Sequence, residues 1–353
     1  MIQAAELVTA KPRNITVSIF LFVAAIVAVG LFSLSYGQVF LGMGRLVDVV
    51  LSPASDPIAT QIVYELRLPR LATGLIAGAA LGISGVLMQA LFRNPMADAW
   101  SLGLLAGGQL GVALIVTAAA FAGPAAIAFL TAFQGMGLTS GAVIGVAVFA
   151  ALMVALSRRV GTIALLVVGL MLGFTVQSLV SIVSHFSNRV GGRVYSGWND
   201  GTFASTTFGD LSFMLPPIAI GLVIAVASAK GLSSLLLGES YARSLGTNVQ
   251  RLRWQTLAAV VLLVAPVTAY CGPVTFIGLI VPHFARAIAR TSLILPLIPL
   301  AALAGGLLAV AADAVVHLPW EQHFLHLNRV LAIIGAPVVI LLLLFSRSMK
   351  GNT

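Results

Sequence analysis

Residues Arg67 to Pro95 read RLPRLATGLIAGAALGISGVLMQALFRNP. From Leu71 to Phe92 there are 22 residues without a charge. At about 1.5 Å of rise per residue, that run is long enough to cross a hydrocarbon core of roughly 30 Å. Arg67 and Arg70 stand at one end and Arg93-Asn94-Pro95 at the other. Gly74, Gly78, Gly82, Ser84 and Gly85 leave room for other backbones to approach, as in packed membrane helices. The pattern predicts a central helix of a polytopic membrane protein.

The rest of the chain agrees with that reading. It has 353 residues, of which 59% are hydrophobic and 8% charged, and its mean hydropathy is +1.08. Soluble domains carry about 25% charged residues, and a soluble fold of this composition would expose large apolar areas. The net charge of +9 is the kind of excess that arginines at cytoplasmic helix ends produce, so nucleic-acid binding is not expected. Cys271 is the single cysteine, which excludes an intrachain disulfide and a multi-cysteine metal site. Its apolar surroundings predict a buried, inert thiol. Lys11 and Arg13 precede an apolar run from Ile15 to Leu34. That run exceeds the 7–15 residues typical of a signal-peptide core and lacks an A-x-A site, so it is expected to stay as the first span.

Ten spans are predicted, at 15–34, 71–92, 101–120, 139–156, 162–184, 211–229, 255–271, 274–289, 294–316 and 330–346. Only Gly272 and Pro273 separate the seventh from the eighth, so one broken segment and nine spans is the alternative. With ten spans and cytoplasmic termini, 13 of the 19 Lys and Arg residues fall inside and 6 outside, as the positive-inside rule requires.

Two extramembrane segments stand out. Ser187 to Gly209, rich in Gly, Ser, Thr and Asn, falls outside. Gly238 to Arg253, GESYARSLGTNVQRLR, falls inside. Glu239 and Arg243 are spaced one turn apart, which suits a short helix, and Gly246 offers its stop. A solvated loop and a docking helix for a cytoplasmic partner both fit.

Other chemistries leave no trace. There is no G-x-x-x-x-G-K-[ST] phosphate loop, so the chain shows no means of hydrolysing ATP by itself. His323 and His326 lie near Glu321 and His317; such a cluster suits either a transition metal or an exposed loop. Asp313 sits late in the ninth span, where an intramembrane carboxylate needs a partner or hydration. A secondary transporter or channel would need a charge relay or filter, and neither is visible. A membrane-embedded enzyme would need paired catalytic groups, whereas His283 and Arg286 have no evident nucleophile beside them.

Four stretches together carry a resemblance: LRLPRLATGLIAGAALGISGVLMQALFRNPMAD (Leu66–Asp98), LGESYARSLGTNVQRLR (Leu237–Arg253), GPVTFIGLIVPHFARAI (Gly272–Ile288) and IIGAPVVILLLL (Ile333–Leu344). The chain resembles the FecCD-type permeases of bacterial ABC importers for iron–siderophores, haem and cobalamin. The resemblance implies an all-α permease of type II importer architecture, with residues 1–353 as a single transmembrane domain of about ten helices and 238–253 as a coupling segment within it. It implies a non-enzymatic transport subunit of the bacterial inner membrane, without cofactor or resident metal. Its partners would be membrane lipid, two copies of a cytoplasmic ABC ATPase, a periplasmic or lipid-anchored binding protein and a second permease subunit. A homodimer is expected, with a heterodimer as the alternative.

Residue roles follow from the same resemblance. Glu239, Ala242, Arg243, Leu245 and Gly246 match the coupling helix. Arg67 and Arg70 match outward arginines that meet acidic residues of the binding protein, and His317 falls where some relatives carry another docking arginine. Asn94, Pro95 and Met96 match the turn near the cytoplasmic gate. Trp198, Asn199, Asp200 and Phe203 fall in a W-x-x-G-x-F segment near the outer pathway. Asn199 and Asp200 depart from a usually apolar pattern, and FLHLN at 324–328 replaces an E-L-P-x-G element. An iron chelate is expected as substrate, siderophore before haem, with cobalamin as the alternative.

Overall fold

The computed structural model describes residues 15–348, except 38, 124, 127, 129–135, 158, 186–188 and 320–324. The termini, Glu321 and His323 lie outside the described residues. Among the described residues the fold is helical throughout, without a strand. In chain order the helices are α1 (Ile15–Ser35), α2 (Met43–Leu51), α3 (Pro57–Gln61), α4 (Leu68–Phe92), α5 (Leu104–Ala122), α6 (Met136–Leu156) and α7 (Thr162–His185). They continue as α8 (Arg189–Asn199), α9 (Phe208–Leu236), α10 (Glu239–Ser244), α11 (Val249–Cys271), α12 (Ile277–Ala289), α13 (Ile294–Val316) and α14 (Leu327–Ser348). A π-helical turn at Ile62–Arg67 joins α3 to α4.

Apolar helices occupy all ten predicted positions, and among the described residues eight are candidate membrane spans by length and composition. The sequence stretch containing α4 is the central one. Its most apolar window is 83% buried inside the protein, against 11% for α1 at the edge. Small residues explain the difference. A Cβ on Gly78 would lie 2.2 Å from the carbonyl oxygen of Gly305 in α13, and one on Gly85 would lie 1.9 Å from that of Gly278 in α12. The backbones touch directly at these points, as small-residue seams between membrane helices permit. A similar seam joins α5 to α6, through Gly107 with Gly145 and Gly111 with Gly141. Helix α11 packs against α4, α6 and α9 and so bridges the two groups.

The hairpin between the seventh and eighth segments consists of two separate helices rather than one broken span. Helix α11 ends at Cys271, residues 272–276 are non-helical, and α12 has only 13 residues. It starts beside Gly85, well down α4 from Arg70. Irregular backbone at membrane depth is tolerated only when protein satisfies its polar groups. Asn328, at the start of α14, does so here. Its Oδ1 accepts from the Thr275 amide at 3.1 Å and its Nδ2 donates to the Pro273 carbonyl at 2.7 Å.

The segment expected to be an outer loop holds an 11-residue amphipathic helix, α8. Three glycines hide it from a propensity reading, yet Val194, Tyr195 and Trp198 form an apolar stripe against Val112 and Val116 of α5.

Adding a methyl group at the central seam is expected to overpack it. Gly85→Ala should destabilise the protein by about 1–3 kcal/mol, whereas Gly192→Ala, with nothing within 4 Å, should not. Thermal unfolding of the detergent-purified chain reads the difference.

Candidate functional site: a pocket at one end and a short charged helix at the other

Helix α10 is set off by glycines. Gly238 has φ 126° and Gly246 φ 80°, conformations that L side chains seldom adopt. Between them Glu239 is doubly bound, by Arg243 at 2.7 Å and by Arg253 of α11 at 3.3 Å. Ala242 is fully buried, and its carbonyl accepts from the Thr247 amide at 3.0 Å. Within the expected coupling segment it seats the helix on the body of the protein rather than offering surface. The outward face carries Arg243 with Tyr241, 48% exposed, and Leu245, 60% exposed. Leu237 is exposed beside them. Neither Tyr241 nor Leu237 is among the residues expected from the sequence, although an exposed aromatic and an exposed aliphatic side chain within a short charged stretch are a usable signal.

The turn Arg93–Met96 lies at the same end of the molecule. Arg93 closes α4 in the left-handed region, with φ 47°. Asn94 Oδ1 accepts from the Met96 amide at 2.9 Å, and the Pro95 carbonyl oxygen lies 3.0 Å from His283 Nε2. One turn further along α12, Arg286 donates to Gln89 Oε1, while Gln89 Nε2 donates to the Leu279 carbonyl at 3.2 Å. The expected gate turn is thus fastened to α12 and α4. Beyond it, Asp98 and Ser101 close a buried turn on each other. Burial raises the Asp98 carboxyl to about 6.

At the opposite end an open pocket of about 490 Å³ lies between α8, the starts of α6 and α9, and the end of α11. Trp198, Tyr270, Arg193 and Asp210 line it, offering aromatic faces and both signs of charge. Trp198 is fixed by donating from Nε1 to the Ala269 carbonyl at 3.3 Å. Asp210 also closes the capping box of α9 with Thr207. The neighbours of Trp198 in sequence point elsewhere. Asn199 Oδ1 accepts from Gln109 of α5 at 2.7 Å. Asp200 sits 3.3 Å from His326 and 4.0 Å from Arg329. Phe203 is wholly buried, with its ring 3.3 Å from where a Cβ on Gly74 would stand. Expected near the pathway, it is here a core side chain that packs its loop onto α4.

The sequence matches the FecCD transport family over residues 25–345. The chain belongs to the FecCD transport family. It is a permease subunit of an ABC importer and is not itself catalytic. It is 34% identical to the vitamin B12 import system permease protein BtuC of Vibrio cholerae, over 89% of this chain and 92% of that one. It is 31% identical to the cobalamin import system permease protein BtuC of Halobacterium salinarum, over 81% of this chain and 74% of that one. A solved structure described as an inward-facing conformation of a metal-chelate type ABC transporter has the same fold. It matches with a TM-score of 0.77 and 24% identity, over 94% of this chain and 99% of that one.

In this FecCD permease the arginines expected to point outward are turned inward. Arg67 is buried and donates to the carbonyls of Leu34 and Val39. Arg70 is buried 3.0 Å from Asp313 of α13, and its Nη2 donates to Ser33 of α1 at 3.4 Å. The partner that Asp313 needs is therefore Arg70. His317 approaches the same carboxylate at 3.4 Å and keeps part of its ring exposed. The pair ties together the end of α1, the start of α4 and the end of α13, and leaves little of either arginine for docking. His317 and His326 serve different carboxylates, Asp313 and Asp200, so they do not converge on one centre; His323 lies outside the described residues.

Removing one member of a buried ion pair strands the other. Asp313→Asn is expected to cost about 3–5 kcal/mol, and Arg70→Met in the same chain should recover most of that loss. Thermal midpoints of the two single variants and the double variant report it.

Proposed function

We propose that this chain is the permease of an ATP-driven cobalamin importer, in which two copies of it pair in the inner membrane with both termini cytoplasmic. The observation that carries the substrate is its 34% and 31% identity to permeases named for vitamin B12 and cobalamin import. This reverses the order suggested by the sequence, which put an iron chelate ahead of cobalamin. The pocket beside Trp198 and Tyr270 supports the reading, because aromatic faces and mixed charge suit a bulky amphiphilic ligand passing from a binding protein. Cobalamin titrated into the cognate binding protein should bind tightly, and uptake by the reconstituted assembly should follow. Binding of a ferric siderophore or haem with no binding of cobalamin would restore the iron-chelate reading.

ATP is hydrolysed in this proposal by two copies of a cytoplasmic ATPase docked on α10. Tyr241, Leu245 and Arg243 face the ATPase, while Ala242 and the Glu239–Arg253 pair hold the helix in place. The substrate would arrive from a periplasmic or lipid-anchored binding protein, and His317 keeps exposed surface at the outer end to meet it. Tyr241→Glu combined with Leu245→Glu is expected to abolish co-purification with the ATPase and transport, while the thermal midpoint of the isolated permease stays unchanged. Retained association would remove α10 from the docking surface.

A further inference from the structure

Between α1 and α4 the chain makes a detour that the transport reading leaves unexplained. Helix α2 is nine residues long. With successive side chains about 100° apart around its axis, three faces result. Leu46 and Val49 lie on one face and are buried with Leu41, Ala59 and Val63. Gly44, Arg45 and Asp48 lie on a second, exposed face, where Arg45 pairs with Asp56 at the start of α3. Met43, Val47, Val50 and Leu51 occupy the third, and all four are exposed, Val50 by 65% and Leu51 by 74%. An uncovered apolar face adjoining a charged face is the pattern of a helix lying in the plane of a membrane interface.

The approach to α2 carries the second observation. Phe32 and Tyr36, at the end of α1, stack with ring centroids 4.4 Å apart, and Phe40 meets Tyr36 edge-on at 5.1 Å. All three are exposed. This ladder continues the exposed apolar surface of α1, which includes Val27 and Leu31, off the end of the span and towards α2. Tyrosine is enriched at the headgroup level of membrane proteins, and Phe is common on the apolar face of interfacial helices. Apolar span, aromatic ladder and half-covered amphipathic helix thus form one continuous surface.

We infer that α2 is an in-plane membrane anchor, whose Met43, Val47, Val50 and Leu51 enter the outer lipid interface while Arg45 and Asp48 face water. The inference rests on the chain spanning a membrane and is independent of what it transports. The anchor also bears on the Arg67 contact. The Val39 carbonyl that Arg67 binds lies between Tyr36 and Phe40 of the ladder, so lipid holding ladder and α2 in place also holds one of the acceptors of a buried guanidinium.

The test uses the full chain in proteoliposomes, without ATPase or binding protein. Single cysteines in a Cys271→Ala background carry a spin label at Val47, Val50, Gly44 or Asp48. Labels at Val47 and Val50 are expected to show a ratio of oxygen to nickel-chelate accessibility several-fold higher than those at Gly44 and Asp48. Nickel accessibility at Val47 and Val50 equal to that at Asp48 would place this face in water and overturn the inference. Shielding of those two labels from both reagents would also overturn it, by showing that protein, such as a second copy, covers the face. Unaltered thermal midpoints show that each variant is folded.

Discussion

The architecture depends on direct backbone contact along α4. Where Gly78 meets Gly305 and Gly85 meets Gly278, there is no space for a single added carbon. In lipid the hydrophobic effect gives helices no reason to associate, so close packing has to supply it. The seam makes α4 the axis around which α12 and α13 assemble, and α11 and α9 pack against the same helix. Polar contacts then fix the register at each end. Arg70 holds Asp313 at one end, and Gln89 holds Arg286 and Leu279 at the other.

This division of labour explains why charged residues that look like docking groups sit inside. An arginine near the end of a span can reach outward to a partner or inward to satisfy a neighbouring helix. Sequence position does not separate these cases, because the acceptors of Arg67 are carbonyls far along the chain, at Leu34 and Val39. Asp313 was the readable clue. A carboxylate within a span demands a cation, and Arg70 supplies it at 3.0 Å.

Much of the fold was legible because membrane spans write themselves as long apolar runs. The ten segments, the small-residue face of α4 and the charged helix at Glu239 could all be read this way. What escaped depends on contacts distant in sequence. Helix α8 is masked by its glycines and is held by packing on α5. The burial of Phe203 follows from the space left by Gly74. The inward turn of Ala242 and the outward turn of Tyr241 follow from how α10 sits on α9 and α11. The W-x-x-G-x-F segment located the outer pocket, but only one of its marked residues, Trp198, faces it.

Asn328 has a consequence beyond local hydrogen bonding. It grips the non-helical stretch before α12, and a Cβ on Gly201 would lie 3.1 Å from its amide. The same first turn of α14 holds Asp200 through Arg329, and His326, two residues before Asn328, reaches the same carboxylate. The 199–203 loop, the interruption and α14 are thereby riveted together, while the middle of α12 rests on Pro95 through His283. Through the 13 residues of α12 this block is connected to the Arg93–Met96 turn. A displacement at one end would reach the other through a lever of about three and a half helical turns.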